Sequence, residues 1–206
     1  LAALALYTQL PRGLPGDKMS IAERLRVLRN PAIGTALAST LLFMIGSAPL
    51  IVYISALLTA ANVAYEALPL VLLAGGIGAI ACSATAGRMS DRFGSKQTAT
   101  ISGIAVIVVL GAFAGLPYLP AEYALTALML TVGAQGFVVR TYSIAVASHM
   151  AQIAPGVVPI AISLNMSAFM IGMAVAAALG GVVVDTWGAM ALPLLGAPLV
   201  ALALLV

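Results

Sequence analysis

Charged side chains are scarce in this sequence of 206 residues. Only 7% of the residues are Asp, Glu, Lys or Arg, whereas 63% are hydrophobic, and the mean hydropathy is +1.15. Soluble domains usually contain about 25% charged and 45–50% apolar residues. Nine basic and six acidic side chains cannot cover the surface of a water-soluble domain of this length, which excludes a cytosolic enzyme, a nucleic-acid-binding protein and a disordered segment. The composition therefore indicates an integral membrane protein.

Side chains suited to catalysis or metal binding are equally scarce. Cys82 is the only cysteine, which excludes a disulfide framework and a cysteine-based metal site. His149 is the only histidine and lies near the end of an apolar run, a position more typical of a surface residue than of a proton carrier. The sequence has no carboxylate in the middle of an apolar run and no G-x-S-G segment, which argues against intramembrane proteases. We therefore expect neither an enzyme nor a bound metal or cofactor.

Long apolar runs alternate with short polar connections along the chain. A helix needs about 20 mainly apolar residues to cross the hydrocarbon core of a bilayer. Charges and turn-forming residues divide the chain into six runs of suitable length, at roughly 32–58, 67–87, 98–116, 122–146, 157–184 and 188–206. Pro49 lies within the first run and is expected to bend it. We therefore predict an all-α membrane protein in which residues 31–206 form a bundle of six transmembrane helices.

The residues before the first run form two short segments. Residues 1–10 are apolar but too short to span a bilayer, and we interpret them as the end of a preceding transmembrane helix. Residues 11–30 are more polar and are predicted to form a cytoplasmic loop. Within this loop, Ser20 and Glu23 form a capping box and are followed by apolar residues at helical spacing. This pattern predicts a short amphipathic helix on the membrane surface, or alternatively a solvated linker with one helical turn. Because the sixth run also continues to Val206, we expect a piece of a longer protein.

The basic residues lie on one side of the predicted membrane. They precede the first run, follow the second or lie late in the fourth, and they are Arg12, Lys18, Arg24, Arg26, Arg29, Arg88, Arg92, Lys96 and Arg140. The connections on the other side contain Glu66, Glu122 and Asp185 instead. Since basic loops remain in the cytoplasm, the first helix is predicted to run outward. The expected location is the plasma or inner membrane, with several crossings.

Polar residues are unevenly distributed among the predicted helices. The first, fourth and fifth runs contain many hydroxyl and amide side chains, whereas the third has few and the sixth is almost purely apolar. We therefore expect the third and sixth helices to face lipid, and the other three to line a hydrated cavity. The candidate substrate-binding residues on those three helices are Ser47, Tyr53, Gln135, Arg140 and Asn165. Helix packing is the alternative role for each single hydroxyl group.

Arg140 differs from the other basic residues because the uncharged residues 123–139 precede it. This position places it in the cytoplasmic half of the fourth predicted helix. Its guanidinium group could snorkel to the inner headgroups. Alternatively, it could anchor an anionic or polar solute in the cavity. The sequence leaves both interpretations open.

Small residues in two predicted helices indicate close packing. Glycine allows helix backbones to approach one another within a membrane. The second and fifth runs are expected to use it in this way at Gly75, Gly76, Gly78, Gly172, Gly180 and Gly181.

The connection between the second and third runs contains a recognisable motif. Residues 87–96 have the sequence GRMSDRFGSK. This segment closely resembles the G-x-x-x-D-R-x-G-x-K/R signature of the major facilitator superfamily, which lies on a cytoplasmic loop after helix 2 and again after helix 8. The predicted position, after an outward and an inward helix, agrees with that placement. Residues 52–58, 163–169 and 172–181 are also similar to the drug and sugar efflux branch, often called arabinose efflux permeases.

The resemblance implies a gating element in the motif loop, formed by Gly87, Arg88, Asp91, Arg92, Gly94 and Lys96. Gly87 would allow the two flanking helices to approach closely. Asp91 would accept hydrogen bonds from a helix N-terminus and pair with a basic residue across the domain boundary. Arg92 and Lys96 would contact the cytoplasmic surface and lipid headgroups. The alternative is that these charges only enforce the topology.

The resemblance also implies an architecture and a function. The chain would be the C-terminal half of a transporter, with two inverted three-helix repeats and a missing N-terminal six-helix half as its partner. Such a protein is a secondary active transporter that exports small organic molecules, such as drugs or sugars, by proton antiport with alternating access. The proton-binding acid would lie in the missing half. A facilitator-type importer or sugar permease and a non-transporting membrane fragment are the alternatives.

Overall fold

The computed structural model describes residues 30–206. The predictions for residues 1–29, including most of the amphipathic helix, lie outside the described residues. Residues 30–206 form α-helices and short 3-10 turns without a strand. The helices are α1 (Pro31–Ser47), α2 (Pro49–Val52), α3 (Ile54–Ala60), α4 (Leu68–Phe93), α5 (Ser95–Gly115), α6 (Ala121–Ile153), α7 (Val158–Trp187) and α8 (Ala191–Leu205). The 3-10 turns are Tyr65–Ala67 and Leu116–Tyr118.

Five helical segments of the described chain are long and apolar enough to cross a membrane. They are Pro31–Val52, Tyr65–Phe93, Ser95–Tyr118, Ala121–Ile153 and Val158–Trp187. The sixth predicted crossing is the apolar helix α8, which has 15 residues. At 1.5 Å per residue it is about 22 Å long, shorter than the hydrocarbon core of about 30 Å. The structure therefore supports an all-α membrane protein, while six complete crossings remain a prediction.

The first crossing is broken rather than continuous. Proline has no backbone N–H, so Pro49 cannot donate to the carbonyl group of Ile45. The helix ends at Ser47 and resumes at Pro49 as the single turn α2. A second interruption follows at Tyr53, where the backbone leaves the helical region with φ −106° and ψ 29°. The bend predicted at Pro49 thus corresponds to an interruption of the helical hydrogen bonding between α1 and α2, while Ala48 keeps a helical backbone with φ −70° and ψ −28°.

The motif is not the loop that the sequence suggested. We placed a charged connection between runs ending near residue 87 and starting near 98, but α4 continues to Phe93 and α5 begins at Ser95. Only Gly94, with φ +85°, separates the two helices. Its N–H donates to the carbonyl of Ser90 at 2.9 Å, and its own carbonyl accepts from the N–H of Thr98 at 3.0 Å. Charged residues do not end a helix, and a glycine with positive φ is sufficient to reverse the chain here.

The long helices form two groups that contact each other. Helix α6 packs against α4 and α5, while α1 packs against α7 and α8. Helix α5 also packs against α8, and α1 makes a smaller contact with α6. Glycines lie where these helices cross. A Cβ at Gly78 would collide with the carbonyl of Gly133, and one at Gly46 would lie 2.6 Å from the carbonyl oxygen of Gly196.

Candidate functional site

A cavity of about 400 Å³ opens beside the break in the first crossing. Its lining comes from α1 to α3, α4, α6 and α7, together with Phe113 of α5. Of the five predicted substrate-binding residues, Ser47, Gln135 and Arg140 line it. Helix α8 contributes no lining residue. The first, fourth and fifth predicted helices thus meet at this cavity, and the second joins them.

Gln135 of α6 contacts the end of α1 within the cavity wall. Its Nε2 donates to the backbone carbonyl of Ser47 at 3.1 Å. In a continuous helix that carbonyl would accept from the N–H of Ile51. Here the Ile51 N–H donates to Ala48 at 3.1 Å instead. The break therefore leaves a backbone acceptor that the Gln135 side chain satisfies.

The second polar atom of the same amide has no partner. Gln135 is only 7% exposed, and its Oε1 makes no hydrogen bond to the described residues. The assignment of the two amide atoms follows from the contact, because a carbonyl such as that of Ser47 can only accept and so faces the Nε2 group. A buried acceptor without a donor costs free energy of about 1–3 kcal/mol. Oε1 is therefore an unpaired acceptor within a residue that lines the cavity.

Arg140 lies deep along the same helix. Helix α6 spans Ala121–Ile153, so Arg140 is about 28 Å from one end and about 20 Å from the other. It is the only charged residue that lines the cavity, and no carboxylate lies among the lining residues. The side chain is exposed within the described chain. The cavity therefore has one positive charge and no negative one among the described residues.

The remaining cavity wall is mainly apolar. Three methionines, Met44, Met170 and Met173, line it together with Phe113 and Phe169. Met170 and Met173 are 53% and 37% exposed. Methionine side chains are flexible and polarisable, and they adapt to apolar partners of different shape. The wall thus suits an apolar molecular body.

Two predicted substrate-binding residues lie away from this cavity. The Tyr53 hydroxyl donates to the carbonyl of Ala177, and its ring packs where a Cβ at Gly180 would lie 2.6 Å from Tyr53 Cε2. A Cβ at Gly181 would lie 2.9 Å from the Tyr53 hydroxyl oxygen. Tyr53 therefore packs the first crossing against α7, and it lies outside the lining of the large cavity.

Asn165 also has a partner in the bundle. Its Oδ1 accepts a hydrogen bond from the Thr40 hydroxyl at 2.8 Å, across the α1–α7 interface. It lines a small void of about 10 Å³ instead of the large cavity. About two turns further along α7, a Cβ at Gly172 would lie 2.8 Å from Met44 Cβ. These contacts place Asn165 and Gly172 at the packing interface between α1 and α7.

The charged residues of the motif lie at the end of α4 and the start of α5. Arg88, Asp91 and Arg92 are exposed, and the Arg92 guanidinium lies 5.4 Å from the centre of the Phe93 ring. A Cβ at Gly87 would meet no atom within 4 Å. Gly87 therefore does not permit a close approach between α4 and any other helix in residues 30–206, contrary to our expectation.

Lys96 lines a second, smaller cavity of about 140 Å³ at this end of the bundle. Ser39, Tyr142 and His149 line it as well. Tyr142, which follows Arg140 closely in sequence, does not line the large cavity. Its ring stacks on Phe43 with the centroids 3.6 Å apart, and its hydroxyl hydrogen-bonds to Ser39 at 2.9 Å. Tyr142 thus ties α6 to α1.

One residue of the turn escaped our reading of the sequence. Ser95 stands at an unrestricted position of the motif, and it is only 2% exposed. Its hydroxyl hydrogen-bonds to Oε1 of Gln152, near the end of α6, at 2.9 Å. The partner lies 57 positions away in the sequence, so the local pattern could not predict it. This contact fixes the turn to α6.

Comparison with known proteins identifies the class of protein that this bundle and cavity belong to. The family model of the Major Facilitator Superfamily matches residues 9–206. The chain belongs to this superfamily, and it is a membrane protein with several crossings. This is the superfamily whose motif residues 87–96 resemble.

Two curated relatives are named Inner membrane transport protein YdhP. They come from Escherichia coli strain K12 and from Escherichia coli O157:H7, and each is 30% identical over 210 residues. The alignments cover 100% of this chain and 52% of each relative. The chain thus spans about half the length of these relatives. Their name agrees with the location in the inner membrane that the basic residues predicted.

Proposed function

We propose that the chain is the C-terminal half of a secondary transporter that exports small organic molecules, such as drugs or sugars, by proton antiport. The observation that carries this proposal is the cavity of about 400 Å³ beside the broken first crossing, with the unpartnered Gln135 Oε1 in its wall. Cavities of about 300–1,000 Å³ with few polar groups are typical of small-molecule sites. Broken helices at such sites are typical of secondary transporters.

Two inverted three-helix repeats would explain the packing of the bundle. Exchanging the first crossing with α6, α4 with α7, and α5 with α8 converts the α4–α6 interface into the α7–α1 interface. The same exchange converts the α5–α6 interface into the α8–α1 interface, and it leaves the α5–α8 and α1–α6 interfaces unchanged. This correspondence supports the proposal of a six-helix bundle with internal symmetry, which alternating access by rocking of bundles uses.

The partner bundle and the proton site belong to the proposed full-length transporter. The YdhP relatives are about twice as long as this chain, because it covers 52% of each. The cavity lining described above contains no Asp or Glu. We therefore place the proton-binding acid on the missing N-terminal half, and the motif residues Arg88, Asp91, Arg92 and Lys96 at its cytoplasmic contact with this half.

Transport by the full-length parent protein tests the proposal. Inverted membrane vesicles containing it are supplied with a proton gradient, acidic inside, and with a panel of labelled drugs and sugars. We expect accumulation of at least one compound that stops when the gradient is dissipated. Gln135→Leu is expected to reduce this accumulation, and Gln97→Leu, an exposed position on α5, is the matched control.

Two other results would contradict the proposal. Movement of a compound together with protons, out of the inverted vesicles, would identify the importer or sugar permease instead. Absence of gradient-dependent movement for every compound, in vesicles that contain the folded protein, would favour the non-transporting alternative.

A further inference from the structure

We propose that the cavity selects organic anions: molecules with an apolar body, one acidic group and one N–H or O–H donor at some distance from it. This inference rests on the proposed function, because it names the substrate class of the same cavity. It depends on three features of the cavity wall, namely its single charge, its free acceptor and its apolar lining.

The single charge favours an acidic group. Arg140 is the only ionised side chain that lines the cavity, and no lining carboxylate neutralises it. Charge interactions are stronger beside an apolar wall than in bulk water. A cation in the cavity would meet repulsion from Arg140 and no compensating carboxylate among the described residues. A guanidinium group also binds carboxylate and sulfonate oxygens with two parallel hydrogen bonds.

The free acceptor requires a donor on the ligand. Gln135 Oε1 is buried and unpartnered, and Nε2 of the same amide is occupied by the Ser47 carbonyl. The amide therefore can accept from a ligand without giving up its own contact. An N–H or O–H group on the ligand would satisfy Oε1, whereas a purely apolar ligand would keep it unpaired at a cost.

The positions of Gln135 and Arg140 along α6 guide the choice of a test ligand. Gln135 and Arg140 are five positions apart on α6, so their Cα atoms are separated by about 9 Å. The space beside them is walled by Met44, Phe169 and Met173, which suit an aromatic body. A fused two-ring system with its donor at one end and its acidic group at the other fits this description.

Two dyes that differ only in the acidic group test the inference. The probe 2-anilinonaphthalene-6-sulfonate has an N–H donor and a sulfonate at opposite ends of a naphthalene ring. N-phenyl-2-naphthylamine is the same molecule without the sulfonate. Equilibrium binding of each dye is measured on the full-length parent protein in phosphatidylcholine nanodiscs, with empty nanodiscs as the blank. We expect saturable binding of the sulfonate at least about tenfold tighter than binding of its neutral twin, the factor expected of a charge-assisted contact.

Variants of Arg140 and Gln135 measure the contribution of each residue to dye binding. Arg140→Gln is expected to weaken binding of the sulfonate about tenfold and that of the neutral dye less than about twofold. Arg140→Lys should recover only part of the loss, because it restores the charge and not the two parallel hydrogen bonds. Gln135→Leu is expected to weaken both dyes, since both have the N–H group, while Gln97→Leu should change neither. Thermal unfolding of each variant checks that it is folded.

Three outcomes would overturn the inference. They are the absence of saturable sulfonate binding, an equal effect of Arg140→Gln on both dyes, and loss of sulfonate binding when phosphatidylglycerol replaces phosphatidylcholine. The last would assign the guanidinium to a lipid headgroup, as the snorkelling interpretation requires. Gradient-driven accumulation of neutral or cationic compounds by the same protein would leave the transport function intact while this inference fails.

Discussion

At the scale of single residues, polar groups in this bundle are held by particular backbone features. Gln135 is anchored because a break in the first crossing leaves the Ser47 carbonyl without its helical donor. Ser95 is buried because Gln152 accepts its hydroxyl hydrogen. Neither contact connects residues close in sequence, so each depends on how separate helices are placed against one another.

The identity of the cavity residues was therefore only partly predictable. Polarity within an apolar run predicted a cavity position for Gln135 and Arg140, because such groups need a partner or water, and both residues line the large cavity. The same criterion could not distinguish them from Tyr53 and Asn165, whose partners lie across the α7 interface. Which polar side chain faces a cavity and which faces a neighbour is decided by packing, and the local sequence does not contain that information.

Gly94 is expected to be the least replaceable residue of the motif turn. Its φ of +85° lies in the region that disfavours L side chains. Gly94→Ala should therefore lower the free energy of unfolding of the parent protein by about 1–3 kcal/mol. Gly111→Ala is the matched control, since a Cβ at this helical position meets no atom within 4 Å. Thermal unfolding in detergent measures both, and equal stability of the two variants would contradict the role of the turn.

At the scale of helices, the apolar runs predicted the five long crossing segments, and Pro49 predicted one of the two interruptions in the first. The fifth run was expected at 157–184 and α7 spans Val158–Trp187. An apolar run marks the residues that lie in the membrane core. It does not mark the polar turns by which a helix continues beyond the core. That is why α4 and α6 extend past their predicted ends to Phe93 and Ile153. The interruption at Tyr53 has no marker comparable to a proline.

The close packing of α4 against α6 depends on contact between their backbones. A Cβ at Gly78 would collide with the carbonyl of Gly133, and backbone cannot move aside as a flexible side chain can. Gly78→Ala should therefore reduce the thermal stability and the yield of folded parent protein. Gly76→Ala, two positions along the same helix, meets no atom within 4 Å and should keep both close to wild type. Similar losses in the two variants would show that any glycine replacement in α4 lowers stability, and that the contact with Gly133 is not the cause.

At the scale of the whole molecule, the exposed charged residues at the α4–α5 turn are proposed to contact the N-terminal half of the transporter. Asp91 is exposed on the described chain, which leaves it free for the proposed contact with the N-terminal half. Asp91→Asn should reduce gradient-driven transport severalfold in the parent protein while its membrane insertion is unchanged. Asp185→Asn is the control, because Asp185 is exposed near the C-terminal end of α7, on the predicted outer side of the membrane. Unchanged transport by Asp91→Asn would remove its gating role.

The path of the chain through the bilayer is the claim on which cavity, turn and transport all depend. Single cysteines introduced into a Cys82→Ala parent protein measure it directly, with a maleimide that does not cross membranes. A cysteine at Gln97 should react only in inverted vesicles, because the basic turn is cytoplasmic. Cysteines at Glu122 and Asp185 should react only from the outside of intact cells. Labelling of position 97 from outside, or of all three positions from the same side, would contradict the account.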